Sequence, residues 1–409
     1  MQKLIYPALL LGLLSTAGCQ SSTKKTDSNM ANTPAAATPN PDTTASATGA
    51  DTTAITYKLP NPEPFETLIG GKKTGLYILK GKGIEVAITN YGARIVSLLV
   101  PDKAGKMTDV VMGFGNTAAY QKANEGFYGP IVGRVGNRIA KGTFTLDGKT
   151  YHTELNNNGN TLHGGPSGFH TRVWEARQIN DHTVQLTYVA KDGEGGFPGN
   201  LTTTVTYSID ESVAGQPGLK IDYKATTDKV TPVNPTSHAF FNLNGEGSGT
   251  INNHVLRIDA DKFSAVDKGL IPQGEPVPVA NTPFDFRKPT AIGARVETKN
   301  EQLTFGKGYD HNWVLNHKMG TLSEVADVTG DKSGIKMTVL TTEPGLQFYG
   351  GNFFTANDPG KYGRAANFRE GLALEAQHYP DSPNHPSYPS ILLKPGQTYT
   401  QTTVYRFGK

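Results

Sequence analysis

The sequence has very little cysteine and very little net charge. Of its 409 residues only Cys19 is a cysteine, so an internal disulfide framework is excluded. Lysine and arginine number 39 against 36 aspartates and glutamates, and no basic stripe interleaved with aromatic residues is present. Nucleic acid is therefore excluded as a partner, because phosphate backbones are bound by clustered positive charge.

The sequence also lacks the common nucleotide, metalloprotease and serine-hydrolase motifs. It contains no Walker loop, no H-E-x-x-H and no G-x-S-x-G. The segment "GFGNTA" at residues 113–118 fits the dinucleotide fingerprint G-x-G-x-x-A. That fingerprint opens a long helix, whereas only about eight residues of weak helical pattern follow here. We expect no nucleotide cofactor.

Residues 1–18 have the pattern of an export signal. Lys3 precedes an apolar run at residues 4–14, which at about eleven residues is too short to span a bilayer. Cys19 directly follows "STAG", where a bacterial lipoprotein signal is cut and the new N-terminal cysteine is acylated. Thr16 stands where such signals usually carry an aliphatic residue, so cleavage without lipidation is the alternative. We expect an exported protein of the cell envelope, anchored in a membrane through Cys19, or otherwise periplasmic or secreted.

The rest of the chain divides into a tether and one large domain. Residues 19–56 consist mostly of Ser, Thr, Ala, Asn, Asp and Pro, which bury too little apolar surface to offset chain entropy. Residues 57–409 contain neither a second linker nor a repeat of fixed period. They are long enough for one large core, so we expect a single domain there.

Strand patterns dominate this domain. "GIEVAITNYGARIVSLLV" alternates apolar and polar residues, and "LTTTVTYSID" is rich in Thr, Val and Tyr. Asp147 and Gly148 lie between two strand-like runs and predict a tight hairpin turn. Helical periodicity is confined to short pieces such as "NTAAYQKA". We predict an all-β fold, a large antiparallel β-sandwich with few short helices.

A carboxylate interrupts an apolar strand pattern near the C-terminus, in "LALEAQHYPDSPNHPSYPS". In an extended chain Leu372, Leu374 and Ala376 share one face, while Glu375 and Gln377 share the other. Glu375 therefore faces either water or a cavity.

His238 lies in a second unusual strand pattern, "NPTSHAFFNL". Alternation puts Thr236, His238, Phe240 and Asn242 on one face. This mixture of aromatic and hydrogen-bonding groups suits a hydroxyl-rich ligand. A structural histidine, held by hydrogen bonds, is the alternative interpretation of His238.

Other polar residues lie next to glycines or in strand-like runs, and each alone also fits a structural role. These candidates are Asn137 and Arg138 in "GRVGNRIAKG", His163 in "NTLHGG", Asp310 in "GYDHNWVL" and Gln347 in "TTEPGLQFYGGN". A metal site would have to draw on His311, His317, His378 and His385. No pair of these has the spacing of a helical or finger-type site, so we expect no metal.

Taken in order, these segments resemble the aldose 1-epimerase family, also called galactose mutarotases, from about residue 67 to residue 407. The likeness rests on "GPIVGRVGNRIAKGTFTLDGKTY", "NTLHGG", "DGEGGFPGNL", "NPTSHAFFNL", "GYDHN", "TTEPGLQFYGGNF" and "LEAQHYPDSPNHPSYPSILLKPGQTY". It implies a galactose-mutarotase-like β-sandwich that needs no cofactor. It also implies an isomerase that interconverts the α and β anomers of free hexoses such as galactose and glucose.

The resemblance gives the candidate residues specific roles. Glu375 corresponds to the general base and His238 to the general acid, which requires an ionised Glu375 and a protonated His238 in the active form. The implied sugar contacts are Asn137, Arg138, His163, Asp310 and Gln347. The sequence departs from the family pattern at three positions: Gly136 replaces a frequent Ala, Ser237 the usual Asn and Phe240 the usual Tyr.

Two other functions remain as alternatives. A surface carbohydrate-binding lipoprotein on the same fold would need the sugar contacts, but not Glu375 and His238 together. An epimerase for phosphorylated hexoses would need a cluster of Arg or Lys, which the sequence does not reveal. We therefore expect an enzyme that acts on free monosaccharides.

Overall fold

Strands dominate the computed structural model, which describes residues 55–409. The predicted signal at residues 1–18, Cys19 and all but the last two residues of the predicted tether lie outside the described residues. None of the helices in the described part is long and apolar enough to cross a membrane.

The strands are numbered in chain order. The first fourteen are β1 Leu68–Ile69, β2 Lys72–Lys73, β3 Leu76–Gly81, β4 Ile84–Thr89, β5 Arg94–Pro101, β6 Met107–Asp109, β7 Ile131–Val132, β8 Arg138–Ile139, β9 Thr143–Leu146, β10 Lys149–His152, β11 Thr161–Leu162, β12 Glu175–Asn180, β13 Thr183–Ala190 and β14 Leu201–Asp210. The others are β15 Gly218–Thr227, β16 Thr231–Pro232, β17 Thr236–Ser237, β18 Val255–Ile258, β19 Ala260–Phe263, β20 Val277–Pro278, β21 Thr290–Ala291, β22 Asp310–Leu315, β23 Ser323–Thr329, β24 Lys336–Thr341, β25 Gly345–Tyr349, β26 Ala373–Gln377, β27 Leu392–Leu393 and β28 Tyr399–Gly408.

The helices are short. The predicted helix at "NTAAYQKA" is α1, Thr117–Lys122, and the Asn116 side chain caps it by accepting a hydrogen bond from the Ala119 N–H at 2.8 Å. The second, α2, is Glu301–Gly306 and is capped in the same way by Asn300. Six 3-10 turns complete the helical elements of residues 55–409: Glu63–Phe65, Ala140–Gly142, Phe169–Thr171, Glu194–Gly196, Ile292–Ala294 and Ser382–Asn384.

Three antiparallel sheets carry most of the strands. A nine-stranded sheet has the order β12-β13-β14-β15-β28-β24-β23-β18-β21, a five-stranded sheet the order β20-β19-β22-β25-β26, and a four-stranded sheet the order β3-β4-β5-β6. The remaining strands form two-stranded pairs. Neighbouring strands in the three large sheets run antiparallel. The predicted all-β antiparallel fold with few short helices is therefore confirmed.

The nine-stranded sheet packs one face against the back of the five-stranded sheet. In β14 every second residue from Leu201 to Tyr207 is buried, as expected for a sheet with one core face and one solvent face. Two bonds tie β28 to β26: Tyr405 Oη donates to the Leu374 carbonyl at 3.0 Å, and Gln401 Nε2 donates to the Ala376 carbonyl at 3.1 Å. The opposite face of β26 is left to line a cleft.

The predicted hairpin is also present. Strands β9 and β10 pair with Leu146 opposite Lys149, so Asp147 and Gly148 form a two-residue turn. Both turn residues have positive φ, 48° for Asp147 and 76° for Gly148. Such backbone angles fit the twist of the flanking strands and favour an Asp-Gly sequence.

Candidate active site

Strand β26 places Glu375 at the cleft. All five residues of this strand are buried. Leu374 and Ala376 pack in the main core, whereas Glu375 points the other way and lines a cavity. With 2% of its surface exposed, Glu375 is withdrawn from bulk water. Of the two environments that alternation allows for Glu375, the structure shows the cavity.

His238 reaches the same cavity from the segment after β17. Its backbone N–H donates to the Pro130 carbonyl at 2.9 Å, and its carbonyl accepts from the Gly129 N–H at 3.0 Å. The next residue, Ala239, packs in the main core, so the imidazole turns towards the cleft. The backbone thus holds His238 from both sides and leaves the ring free for chemistry.

His238 and Glu375 face each other. Nε2 of His238 lies 3.6 Å from Oε1 of Glu375, and both side chains are buried. Among the described residues, Nδ1 of His238 and Oε2 of Glu375 have no hydrogen-bond partner. The pair is close enough to interact electrostatically but makes no direct hydrogen bond, and it is not saturated by protein contacts.

Burial decides where that proton lies in the empty cleft. It raises the pKa of Glu375 well above the ordinary value, helped by the negative charges of Asp310 and Glu125 and opposed by Arg138. Burial also lowers the pKa of His238 to about 4. Both shifts favour the uncharged forms, a protonated Glu375 and a neutral His238, which is the reverse of the distribution that the family roles require.

Asp310 and Gln347 of the five-stranded sheet form a chain of contacts with Arg138 of β8, which lies outside that sheet. Gln347 lies directly opposite Glu375 in the β25–β26 register. Its Nε2 donates to Asp310 Oδ1 at 2.7 Å, and Asp310 Oδ2 lies 3.6 Å from Nη2 of Arg138. A cation and a carboxylate are thereby held beside Glu375.

His163 and Asn137 support each other through local bonds. The Asn137 N–H donates to Nδ1 of His163 at 3.1 Å, and the His163 N–H donates to the Asn137 carbonyl at 3.0 Å. Oδ1 of Asn137 accepts from the Arg138 N–H at 2.9 Å. Because burial lowers the pKa of His163 well below its ordinary value, the ring is neutral and carries its proton on Nε2. His163 is therefore a hydrogen-bond donor.

The cavity has a volume of about 540 Å³ and combines polar and aromatic groups. Six of the seven predicted site residues line it: Asn137, Arg138, His163, His238, Asp310 and Glu375. Gln347 does not line it, but lies behind Asp310 and holds that carboxylate in place. The structure thus brings these six residues together in one cavity.

His163, His238 and Glu375 also have the composition of a metal site. One ligand atom from each lies within 4.8 Å of the other two. However, Nδ1 of His163 already accepts a backbone N–H, so Nε2 keeps its proton and cannot offer a lone pair to a metal. The chemistry of this donor set therefore fits a sugar hydroxyl better than a metal.

The four histidines considered for a metal from the sequence lie in separate places. His311 packs against aromatic rings, at 4.6 Å from Phe284, and His317 bonds to backbone carbonyls. His378 pairs with Glu343 and His385 with Asp381. The structure gives them no common centre.

Comparison with known proteins identifies the family. The sequence profile described as "Aldose 1-epimerase" matches residues 76–406. The chain belongs to the aldose 1-epimerase family. Galactose mutarotase of Homo sapiens is 40% identical over 341 residues, which cover 83% of this chain and 95% of that protein. Aldose 1-epimerase of Escherichia coli strain K12 is 37% identical over 334 residues, or 81% and 94% of the two chains.

Solved structures of the aldose 1-epimerase family share the fold. An aldose epimerase homologue from C. elegans superposes with a TM-score of 0.74 at 31% identity, covering 82% of this chain and 99% of its own. Galactose 1-epimerase from Lactobacillus acidophilus NCFM gives a TM-score of 0.72 at 27% identity, with 84% and 97% covered.

The aldose 1-epimerase cleft also contains residues that the sequence did not mark. Glu125, Phe127, Tyr349 and Phe353 line it. Tyr349 and Phe353 belong to the aromatic run "QFYGGNFF", which was a visible signal for a sugar-stacking wall. Glu125 had no such signal, because "ANEGFYG" reads as an ordinary glycine-containing loop.

Two departures from the family pattern lie behind the cleft wall. Phe240 is fully buried and packs its ring 4.8 Å from the His238 ring without lining the cavity. Ser237 is buried in β17 and likewise does not line it. Both residues therefore act through packing rather than through direct sugar contact.

Proposed function

We propose that this chain interconverts the α and β anomers of free aldohexoses, galactose and glucose among them, through Glu375 and His238. The observation that carries this proposal is the buried pair, 3.6 Å apart, in a cavity of hydrogen-bonding residues. Relatives at 37–42% identity that bear the names galactose mutarotase and aldose 1-epimerase support it.

The reaction needs two opposed proton transfers. Glu375 takes the proton of the O1 hydroxyl while His238 gives a proton to the ring oxygen O5. The C1–O5 bond breaks with its electrons going to O5, and C1 becomes the aldehyde carbon. Rotation about C1–C2 and the reverse transfers close the ring, so both residues return to their starting state. Each positioned group contributes roughly 10²–10⁴-fold.

Sugar binding must move one proton within the pair. Protonated Glu375 with neutral His238 holds the same single proton as ionised Glu375 with protonated His238, and the two groups are 3.6 Å apart. Arg138 already favours the carboxylate form. Sugar hydroxyls that donate to Glu375 add to this effect and shift the proton to His238.

The remaining predicted residues hold the sugar. Nε2–H of His163 and the guanidinium of Arg138 donate to sugar oxygens, whereas the Asp310 carboxylate accepts from hydroxyls. Asn137 supports this set through its bonds to His163 and Arg138. Gln347 serves the sugar indirectly by fixing Asp310.

A carbohydrate-binding protein without catalysis is less well supported. Binding alone gives no reason to bury a carboxylate and an imidazole opposite each other without other partners. Polarimetry of freshly dissolved α-D-glucose and α-D-galactose separates the two functions. We expect the purified protein to speed the decay of optical rotation without added metal or nucleotide. Sugar binding without faster mutarotation of any common hexose would leave non-catalytic carbohydrate binding as the function.

We further propose that the protein is exported and held at a membrane by a lipid on Cys19. The support is the sequence alone: an apolar run at residues 4–14, "STAG" before Cys19 and the apolar-poor residues 19–56. Cys19→Ser should move the protein from the membrane fraction to the soluble fraction. A wild-type protein that is already soluble would contradict the anchor and leave a periplasmic or secreted protein.

A further inference from the structure

Glu125 is a third carboxylate in the cleft wall, and neither the family roles nor the acid–base pair uses it. It lies in the loop between α1 and β7 and lines the main cavity together with Asp310 and Glu375. It also lines an adjoining cavity of about 270 Å³. An acid between two cavities at a sugar site needs an explanation.

The loop that carries Glu125 is clamped by a second loop. The carboxylate of Asp358 accepts hydrogen bonds from the backbone N–H of Asn124 at 3.0 Å, from its side-chain amide at 3.0 Å and from the Glu125 N–H at 3.2 Å. Hydrogen bonds to Asp358 therefore hold the loop in place and fix the position of Glu125 at the cleft.

The two oxygens of Glu125 differ. Oε1 accepts from the Phe127 N–H at 3.0 Å, a local turn bond. No hydrogen bond to Oε2 is found among residues 55–409, and the partly exposed side chain lines the cavity. One oxygen thus fixes the side chain, and the other is left to accept a bond from a molecule in the cleft.

The surroundings make an unused carboxylate unfavourable here. Burial raises the pKa of Glu125 to about 7, and the negative charges of Asp358 and Asp310 add to this, while the hydrogen bond from the Phe127 N–H and the charge of Arg94 only partly offset it. Glu125 is partly exposed at the cavity, and an acid with such neighbours is stabilised when a ligand donates a hydrogen bond to it. The bland alternative is that Glu125 only holds Phe127, whose ring packs 4.6 Å from His163.

We propose that Glu125 is a further sugar-binding residue, which accepts a hydrogen bond through Oε2 from one hydroxyl of the pyranose. This rests on the proposed function, because the ligand of the cleft is taken to be an aldose. It makes Glu125 a specificity-determining residue: a sugar that lacks that hydroxyl, or presents it on the other side of the ring, loses the contact.

The test compares Glu125→Ala and Glu125→Gln with wild type on α-D-glucose, α-D-galactose and their 2-, 3-, 4- and 6-deoxy analogues. A hydrogen bond to a charged group corresponds to about 10–100-fold in affinity, so Glu125→Ala should lower kcat/KM by this factor, mainly through KM. Glu125→Gln keeps an acceptor for Phe127 and should lose less. For the deoxy analogue that lacks the contacted hydroxyl, the variants and wild type should have similar kcat/KM.

The control is Asp102→Asn. The carboxylate of Asp102 likewise accepts a turn bond, from the Ala104 N–H at 2.8 Å, but lines neither cavity. Its replacement should therefore leave kcat/KM unchanged for every sugar. An equal loss for every sugar in both Glu125 variants would overturn the proposal and leave only support of Phe127. If Glu125→Ala does not fold, Glu125→Gln with the analogue series still decides.

Calorimetric binding of the same sugars separates this proposal from the proposed function. If wild type binds but does not turn over sugars, the epimerase function fails while the analogue pattern still reports the Glu125 contact. If wild type turns over sugars, but the Glu125 variants discriminate between each analogue and its parent sugar as wild type does, the Glu125 contact is refuted. The epimerase function then stands.

Discussion

Two regions of the molecule bury acids and bases, and they treat them differently. In the cleft, Glu375 and His238 each keep an atom without a protein partner. The second region, here called the Lys361 cluster, consists of Lys361, Asp109 and Glu246, and all three side chains are almost fully buried. Burial is the same in both regions, so burial alone does not mark a functional site.

The Lys361 cluster pairs its charges internally, although Glu246 Oε2 makes only the ion pair and no hydrogen bond of good geometry. Nζ of Lys361 lies 2.6 Å from Glu246 Oε2 and 3.4 Å from Asp109 Oδ2, and it donates to the Val111 carbonyl at 2.6 Å. Asp109 also accepts from the Tyr362 hydroxyl at 2.9 Å. Burial alone would lower the pKa of Lys361, but the two carboxylates outweigh it and raise the pKa above its ordinary value.

The two regions differ in charge pairing rather than in burial: the Lys361 cluster pairs a cation with two carboxylates, whereas Glu375 faces a neutral His238 at 3.6 Å. The Lys361 N–H donates to Glu246 Oε1, and both oxygens of Asp109 accept protein hydrogen bonds, so none is left for a ligand. The cleft leaves oxygens and nitrogens that a hydroxyl-rich molecule can pair with. Variants in the two regions should therefore affect different quantities: turnover in the cleft and stability in the cluster.

The largest expected effect is on turnover. Glu375→Gln and His238→Asn nearly preserve volume but each removes one proton-transfer group, so each should lower kcat by roughly 10²–10⁴-fold. The double variant should lose far less than the product of the two factors, because the groups act as a unit. Sugar binding, measured by calorimetry, should survive better than turnover. Near-normal kcat in Glu375→Gln would refute the assignment and direct attention to Asp310 as the base.

The next effect is on stability. Lys361→Met leaves Asp109 and Glu246 buried without a cation, which should lower the free energy of unfolding by about 3–5 kcal/mol. Denaturant unfolding measures this, and kcat of the folded protein should stay near wild type. The matched control is Lys336→Met: Lys336 pairs with Asp327 at 3.0 Å but is 46% exposed, so about 1 kcal/mol or less is expected. Equal losses in the two variants would contradict the comparison.

The pH dependence of kcat/KM tests the protonation of Glu375 and His238 in the cleft. Between about pH 4, where His238 titrates, and the raised pKa of Glu375, the empty pair holds one proton. Below about pH 4 both groups are protonated and no base remains, whereas above the pKa of Glu375 no acid remains. The acid limb should thus lie near pH 4, well below the range where a free histidine titrates, and the rate should fall about tenfold per pH unit outside the window.

Asp310→Asn tests the cause of the alkaline limb. The negative charge of Asp310 raises the pKa of Glu375, so its removal should shift that limb to lower pH. Profiles measured from pH 3 to 10 show both limbs. An acid limb near pH 6.5, or a His238 imidazole that titrates there by NMR, would contradict the neutral histidine.

Much of this fold follows from local sequence. Alternation predicts β14 and β26, and the Asp147–Gly148 pair predicts its hairpin, because these elements depend on side-chain period and backbone angles. The cleft residues were predicted through the family resemblance, and alternation alone left Glu375 facing either water or a cavity. Six of the seven candidates meet in one cavity.

The features that the sequence did not predict depend on contacts between residues far apart in the chain. Lys361 and Glu246 are 115 residues apart, and no period links them. Glu125 becomes a cleft residue only because Asp358, 233 residues away, accepts its backbone N–H. The protonation of Glu375 and His238 is likewise set by burial and by neighbours from other strands, which no single segment contains.

The smallest expected effect comes from restoring the family residue with Phe240→Tyr. Phe240 is fully buried against the rings of His238 and Phe354, at 4.8 Å from each, and does not line the cavity. An added hydroxyl enters packed aromatic surroundings, which should lower the free energy of unfolding by about 1–3 kcal/mol. Since no sugar reaches this position, the ratio of kcat/KM for galactose and glucose should not change. A changed ratio in polarimetry, with Phe65→Tyr as a buried aromatic control outside the cavity, would show that the hydroxyl reaches the sugar after all.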